Sequence, residues 1–174
     1  MPMDAVRSDH GSLAMELILW RHADAGDSVA DLRDDFDRRL TDRGRRQAAR
    51  VARWLESRLP ERCLVISSPA PRALETAEAL GIKVRVDERI APGATGDTVL
   101  EVAGWPGKEV GDGKSRHVLI VGHQPSLGDA FSLALTGQAQ RWTVRKGALA
   151  WLVSRSSGGE SSVYLRASIG PDLV

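Results

Sequence analysis

The chain has 174 residues, 42% of them hydrophobic, and this length suits one globular domain with a sizeable core. Its 24 basic and 23 acidic residues nearly cancel, so the overall charge gives no reason to expect a nucleic acid as partner. The single cysteine, Cys63, excludes an internal disulfide framework and a multi-cysteine zinc site. With no long apolar run and no secretory signal in the sequence, we expect a cytoplasmic protein without a membrane segment.

Short apolar runs alternate with helical patterns after a polar, aperiodic segment that we interpret as a flexible tail, residues 1–14. The predicted strands are short apolar or alternating runs at residues 16–20, 63–68, 82–86, 116–123 and, as a closing pair, within 147–168. The predicted helices have apolar residues at helical spacing, at residues 40–59, 69–81, 97–104 and 126–137. Thr41 or Asp42 is a suitable N-cap for the first of them.

This alternation indicates βαβ units, so we predict that residues 15–174 form one α/β domain. The domain is expected to have three layers, with a mainly parallel sheet and helices on both of its faces. The closing pair of strands is expected to form an antiparallel hairpin at one edge of that sheet.

Basic side chains and histidines follow three of the predicted strands. Arg21 and His22 follow the first strand, Arg72 opens the helix after the second, and His123 ends the strand over 116–123. Because ligands of open α/β sheets bind beyond the carboxyl ends of the strands, we expect one shared site. Guanidinium groups bind phosphate oxygens, and nearby positive charge favours the neutral, nucleophilic form of histidine. The sequence therefore predicts a nucleophile within a site for a phosphoryl group.

Four segments resemble, in order, the motifs of the histidine phosphatase superfamily, which is also called phosphoglycerate-mutase-like. They are "LWRHADA" from residue 19, "LTDRGRRQA" from residue 40, "SSPAPRALETA" from residue 67 and "VGHQPSL" from residue 121. The short chain, without large insertions, is similar to the SixA-type branch, described as phosphohistidine phosphatases. One departure is Ala23, where many relatives have glycine.

The resemblance implies a role for each of the four site residues. His22 would attack phosphorus and form a phosphohistidine intermediate that water then hydrolyses. Arg21 and Arg72 would hold the phosphoryl oxygens, and His123 would donate a hydrogen bond to them as charge shifts. The resemblance implies neither a metal nor another cofactor, because the cationic side chains neutralise the phosphoryl charge.

The proton donor for the leaving group stays open. Many relatives use a glutamate on the loop after the third strand, where this chain has Glu88, with Asp97 and Asp24 as further candidates. SixA-type members are described as lacking this acid, so a chain with no dedicated donor is the other possibility. A phosphoramidate would suit such a site, since its nitrogen leaving group is protonated more easily than an ester oxygen.

The expected partner is a phosphorylated substrate, in the first instance a protein that carries phosphohistidine, with no nucleic acid and no membrane surface. The alternatives are a small-molecule phosphomonoesterase of the same superfamily and a protein that binds phosphate without turnover. Eight arginines around the first helix are interpreted as a solvated face, with docking of an acidic partner as the alternative: Arg33, Arg38, Arg39, Arg43, Arg45, Arg46, Arg50 and Arg53.

Three further features are interpreted as structural. Cys63 lacks an arginine six residues later, so a cysteine phosphatase is excluded and we expect a buried, inert thiol. The stretch "GDGKS" at 111–115 lacks the first glycine of a P-loop and is interpreted as a surface turn. His117 precedes a strand and is expected to be structural or exposed.

Overall fold

The computed structural model describes residues 13–107, 116–157 and 159–174. Its strands are β1 (Leu13–Arg21), β2 (Cys63–Ser67), β3 (Val84–Val86), β4 (His117–Gly122), β5 (Leu149–Ser157) and β6 (Glu160–Ile169). Its helices are α1 (Leu32–Phe36), α2 (Asp42–Glu56), α3 (Pro71–Glu78), α4 (Gly96–Ala103) and α5 (Ser126–Thr136), with a 3₁₀ turn at Glu88–Ile90. The turn predicted at 111–115 and most of the predicted tail lie outside the described residues.

The six strands form one sheet in the order β3-β2-β4-β1-β5-β6. Strands β3, β2, β4 and β1 run parallel, whereas β5 is antiparallel to both β1 and β6. This confirms the predicted mainly parallel sheet with an antiparallel C-terminal hairpin at one edge. Strand β1 begins at Leu13, which is two residues before the predicted start of the domain.

Helices cover both faces of the sheet, which confirms the three layers. Successive residues of β1 point to opposite faces, so Trp20 packs on the side of α2 and α3 and Leu19 on the side of α4 and α5. Helix α2 is capped by the side chain of Thr41 and buries the apolar stripe that its spacing predicts, at Ala48, Val51, Ala52 and Leu55. Trp20 and Trp151 are fully enclosed in the same core.

Two short elements were not predicted. Helix α1 has no buried residue, so no apolar periodicity marks it, and it is held by the side chain of Asp31, which accepts hydrogen bonds from Arg33 N and Asp34 N. The 3₁₀ turn follows β3 and contains Glu88. Within the described ranges, the longest helix is α2 with 15 residues, and none has the length and apolar character needed to cross a bilayer.

Candidate active site

The four residues singled out in the sequence line one cavity. Arg21, His22, Arg72 and His123 surround a polar space of about 290 Å³ at the carboxyl ends of β1, β2 and β4. These strands are neighbours in the sheet, so the residues that follow them meet at one edge. We call this space the phosphate cavity.

His22 is almost completely buried, and its tautomer is defined by one hydrogen bond. Its Nδ1 lies 2.8 Å from the carbonyl oxygen of Ala23. Because a carbonyl only accepts, Nδ1 carries the proton and Nε2 keeps its lone pair. Burial, reinforced by the charges of Arg72 and Arg21, lowers the pKa of His22 to about 3 although the Ala23 hydrogen bond opposes this. The imidazole is therefore neutral at physiological pH.

His123 faces His22 across the cavity, with ring centroids 5.2 Å apart. Its Nε2 lies 2.7 Å from the hydroxyl oxygen of Ser68, which is buried at the end of β2. Its Nδ1 is buried without a hydrogen-bond partner among the described residues. Burial, followed by the neighbouring His22 and Arg72, lowers the pKa of His123 to about 2. The ring is neutral, and Nδ1 has an unused hydrogen-bonding position.

The two guanidinium groups are fixed by main-chain carbonyls. Arg21 Nη1 donates to the carbonyl oxygen of Val144 at 2.9 Å. Arg72 Nη1 donates to the carbonyl oxygens of Asp35 and Phe36 at 2.8 and 3.1 Å. The Nε atoms of both arginines are buried and have no partner in the part of the chain that the structure describes. Each guanidinium is thus held in one orientation with N–H groups left to bind an anion.

The second motif holds the loop that follows His22. Gln47 Oε1 accepts a hydrogen bond from Asp24 N at 3.0 Å, and Thr41 N donates to the carbonyl oxygen of Asp24 at 3.0 Å. Gly44 packs against the same carbonyl, with which any Cβ at this position would collide. The threonine, glycine and glutamine of "LTDRGRRQA" therefore shape the loop that follows His22, and none of them lines the phosphate cavity.

The third motif links the histidine loop to the helix that carries Arg72. Thr76 Oγ1 accepts a hydrogen bond from Ala23 N at 3.1 Å and donates to the carbonyl oxygen of Arg72 at 2.7 Å. Thr76 is fully buried. It therefore sets the position of the His22 loop relative to α3.

None of the three proton-donor candidates lines the phosphate cavity. Glu88 and Asp97 are exposed, and the loop after β3 reaches the cavity through Pro92 and Gly93 instead. Asp24 is bound by Thr41 Oγ1 at 2.7 Å and by Lys146 Nζ at 3.1 Å. The Thr41 hydrogen bond, with Lys146, holds the pKa of Asp24 below its usual range, so this carboxylate has no proton to give near neutrality.

Two other carboxylates line the cavity, Asp27 and Asp35. The pKa of Asp35 is lowered, because hydrogen bonds from Val29 N and Arg38 outweigh the effect of burial, which would raise it. Asp27 is exposed and stands at the cavity rim. Sequence reasoning did not single out either residue, since residues 23–39 contain six aspartates and no periodicity distinguishes among them.

The eight arginines around the first predicted helix were interpreted as a solvated face, and this is wrong for Arg38. Its side chain is only 14% exposed and lines the phosphate cavity. Arg38 Nη1 donates to the carbonyl oxygens of Ala25 and Gly26 at 3.0 and 3.3 Å, and Nε donates to Asp35 Oδ1 at 3.0 Å. No periodicity marks this position, because α1 and the loops around it are irregular.

Gln124 and Lys146 also line the cavity and were missed. Gln124 Nε2 donates to the carbonyl oxygen of Trp142, and its Oε1 accepts from Val144 N. The position next to His123 in "VGHQPSL" was the available signal for this residue. Through Val144, whose carbonyl oxygen binds Arg21, Gln124 steadies the guanidinium on the far side of the cavity.

Cys63 and His117 lie at the start of strands, away from the cavity. Burial raises the pKa of the Cys63 thiol to about 12, which keeps it protonated and unreactive. Cys63 is partly rather than fully buried and packs against the α2 side of the core. His117 Nδ1 lies 4.0 Å from Glu16 Oε1, so this side chain contacts the neighbouring strand β1. Within the described residues, no group of three or more potential ligands is placed to hold a metal.

Part of the chain is similar in sequence to known proteins. The sequence profile of the histidine phosphatase superfamily (branch 1) matches residues 17–98. An uncharacterized protein of Mycobacterium leprae is 40% identical over 105 residues, which is 59% of this chain and 61% of that protein. The match therefore spans less than two thirds of that curated relative.

Structural comparison covers most of the chain. A structure assigned to the phosphohistidine phosphatase SixA of Nakamurella multipartitia is 30% identical and superposes with a TM-score of 0.65, covering 91% of this chain and 96% of that one. A mycobacterial glucosyl-3-phosphoglycerate phosphatase has a TM-score of 0.60, with 88% and 98% of the chains covered, and at 24% identity it shares the fold.

Proposed function

Because the chain belongs to the histidine phosphatase superfamily and is of the SixA type, we propose that it hydrolyses a phosphorylated substrate through a phosphohistidine on His22. Membership of this superfamily indicates a phosphohydrolase. The observation that carries the proposed mechanism is the tautomer of His22. Its Nδ1–H is committed to Ala23, which leaves the Nε2 lone pair of a neutral ring in a cavity lined by fixed guanidinium groups.

In the first step, the Nε2 lone pair attacks phosphorus while the bond from phosphorus to the leaving group breaks. Arg21 and Arg72 hold the phosphoryl oxygens through N–H groups that their main-chain contacts leave available. In the second step, water attacks the phosphohistidine, the P–N bond breaks and inorganic phosphate leaves. Nε2 regains its lone pair, so His22 returns to its starting state.

His123 supplies a hydrogen bond to the phosphoryl group in this mechanism. When the Ser68 hydroxyl donates to Nε2, the ring proton of the neutral His123 resides on Nδ1. Nδ1 has no partner among the described residues, so the N–H is available to a phosphoryl oxygen. Ser68 therefore acts as a positioning residue that selects the donor tautomer of His123.

For the leaving group, we assign the proton to Asp27. It lines the cavity, whereas Glu88, Asp97 and Asp24 do not, and no salt bridge to it lies within 4.0 Å in the described part of the chain. The negative charge of a phosphoryl group bound beside it would favour its acid form, because like charges repel. The same carboxylate would take a proton from water in the second step, which returns it to the acid form.

The substrate that we propose is phosphohistidine carried by a protein, hydrolysed in the cytoplasm. The support is the likeness to the structure assigned to SixA, the absence among the described residues of a large insertion that would enclose a small substrate, and a phosphate cavity lined mainly by polar groups. A small-molecule phosphomonoesterase is the second candidate, favoured by the fold shared with the glucosyl-3-phosphoglycerate phosphatase.

The test of the proposed function is hydrolysis of p-nitrophenyl phosphate with EDTA present, in wild type and His22→Asn. Asparagine can still donate to the Ala23 carbonyl but has no nucleophilic nitrogen, and His117→Asn is the matched control outside the cavity. Turnover that survives EDTA and disappears only in His22→Asn supports the proposal. Equal turnover in wild type and His22→Asn overturns it, and phosphate binding without any turnover favours a binding protein.

The substrate class is tested by comparing kcat/KM for a phosphohistidine protein with kcat/KM for a panel of phosphorylated metabolites. We expect the phosphohistidine protein to be hydrolysed at least about 100-fold more efficiently, which corresponds to about 3 kcal/mol of transition-state stabilisation. A metabolite that exceeds the protein substrate would favour the phosphomonoesterase instead.

A further inference from the structure

A second basic cavity lies beside the phosphate cavity and takes no part in the mechanism above. It has a volume of about 310 Å³. We call it the α2 cavity, and it is lined by Arg43, Arg46, Gln47, Arg50, Arg145, Lys146, Pro171 and Asp172. Five cationic side chains and one carboxylate thus surround a space large enough for an anionic group.

Among the described residues, the three arginines of α2 are the cations of this lining without an ion pair, although the charge of Arg43 acts on Asp24 from a greater distance. Lys146 is paired with Asp24 at 3.1 Å, and Arg145 lies 3.7 Å from Asp172. In contrast, no carboxylate of the described residues lies within 4.0 Å of the guanidinium groups at positions 43, 46 and 50. The positive charge of the cavity therefore exceeds what its own acidic groups neutralise.

Spacing places these arginines together. Positions 43, 46 and 50 are three and four residues apart, so they share one face of α2. Like charges at this spacing repel one another, and a bound anion would remove that repulsion. Arg50 is also tied to the C-terminal segment, since its Nη1 donates to the carbonyl oxygen of Pro171 at 3.3 Å.

Lys146 connects the two cavities because it lines both of them. Its Nζ donates to the carbonyl oxygen of Gly26 at 2.9 Å and to Asp24 Oδ1 at 3.1 Å. Gln47, also in the wall of the α2 cavity, accepts a hydrogen bond from Asp24 N. A substrate with its phosphoryl group at His22 therefore has a second cationic space directly across Lys146.

We infer that the α2 cavity binds a second anionic group, a carboxylate or a phosphate, of the substrate whose phosphoryl group is attacked at His22. This rests on the proposed function and adds a substrate class to it, namely phosphorylated substrates with two separated anionic groups. The near-neutral overall charge and the small volume of the cavity favour such a local anion over a nucleic acid.

The experiment compares the double variant Arg43→Gln/Arg46→Gln with Arg53→Gln. Arg53 is an exposed arginine of the same helix that does not line the cavity, so it controls for the loss of positive charge. One pair of substrates is a phosphohistidine peptide flanked by Asp and Glu and the same peptide flanked by Asn and Gln. The other pair is fructose 1,6-bisphosphate and fructose 6-phosphate.

We expect the double variant to lower the preference for the more anionic member, measured as the ratio of kcat/KM values, by about fivefold in at least one pair. The pair that responds identifies whether the anion comes from a protein or a small molecule. Arg53→Gln should leave both ratios unchanged. Ratios that stay at the wild-type value in both pairs, or that fall equally in the control, overturn the inference.

The same proteins distinguish failure of the proposed function from failure of this inference. If p-nitrophenyl phosphate is not hydrolysed in a His22-dependent way, the inference is tested by equilibrium binding of inorganic tripolyphosphate to the full chain. Weaker binding in the double variant than in Arg53→Gln supports an anion site without catalysis, and equal binding overturns it.

Discussion

The phosphate cavity and the α2 cavity share Lys146 and are both rich in cations, but they hold those cations differently. In the phosphate cavity, Arg21, Arg38 and Arg72 are tied to main-chain carbonyls and largely withdrawn from solvent. In the α2 cavity, the four arginines are exposed, and three of them are side chains of one helix. Fixed donors suit a transition state of defined geometry, whereas exposed ones suit binding of a group whose position varies.

The two cavities also differ in which other side chains accompany the cations. The phosphate cavity contains two buried imidazoles, each with a pKa far below the ordinary value for histidine. The lining of the α2 cavity contains no histidine, cysteine, serine or threonine, and its one lysine is held by Asp24. Reactivity therefore belongs to the first cavity, and the second can contribute only to recognition.

Apart from the loss of His22 itself, the largest effect is expected at Arg72. In Arg72→Lys, the ammonium group cannot donate to the Asp35 and Phe36 carbonyls and present a planar pair of N–H groups to phosphate at once. We expect kcat for p-nitrophenyl phosphate to fall about 100-fold or more. Arg39→Lys, at a 74% exposed side chain outside the cavity, is the matched control. A fall of less than about threefold in Arg72→Lys would remove the distinction between fixed and exposed arginines.

Asp27→Asn should have an effect that depends on the leaving group. An acidic phenol leaves without help, so we expect p-nitrophenyl phosphate to lose little activity. An alkyl phosphate needs a proton donor, and its kcat should fall about 100-fold. Steady-state kinetics with both substrates across the pH range makes the comparison, and Asp97→Asn serves as the control. An equal loss with both leaving groups would exclude Asp27 as the donor.

The stability of the protein should depend on pH because of the buried histidines of the phosphate cavity. The lining of the α2 cavity contains no histidine and makes no such contribution. In the unfolded chain, His22 binds a proton below about pH 6.5, but in the folded chain only near pH 3, where its lowered pKa lies. The folded state therefore loses stability as the pH falls below about 6.5. Between about pH 7 and about pH 5, this contribution amounts to about 2 kcal/mol.

Urea denaturation of wild type and His22→Asn at the two pH values measures this contribution. We expect the free energy of unfolding of the variant to fall about 2 kcal/mol less than that of wild type. Parallel falls in both proteins would mean that His22 is protonated to the same extent in the folded and unfolded chains. The statement that burial keeps His22 neutral in the folded chain, which distinguishes the phosphate cavity from the exposed α2 cavity, would then be wrong.

More of the phosphate cavity than of the α2 cavity could be predicted from the sequence, and the reason is physical. Arg21, His22 and His123 directly follow apolar strands, so the pattern that predicts the sheet also predicts where they meet. Arg38 and Lys146 come from irregular segments whose path is set by hydrogen bonds to Gly26, and no periodicity encodes such contacts. For the same reason, the pattern could not show that Glu88 faces solvent.

The α2 cavity could not be predicted because its walls are distant in the chain. Three of its arginines lie on α2, Arg145 and Lys146 precede β5, and Asp172 belongs to the C-terminal segment. Arg43, Arg46 and Arg50 have the spacing of an ordinary solvated helix face. Only the packing of the C-terminal segment beside α2, seen in the Arg50 contact with Pro171, turns that face into a cavity.

A phosphohistidine on His22 would be detected by trapping the covalent intermediate. Wild type would be mixed with a labelled phosphohistidine protein, quenched with alkali within the first turnover, digested, and analysed by mass spectrometry. We expect one acid-labile, alkali-stable phosphoryl group on His22, and none on the same peptide of His22→Asn. A phosphoryl group on another residue, or turnover that persists in His22→Asn, would contradict the proposed mechanism.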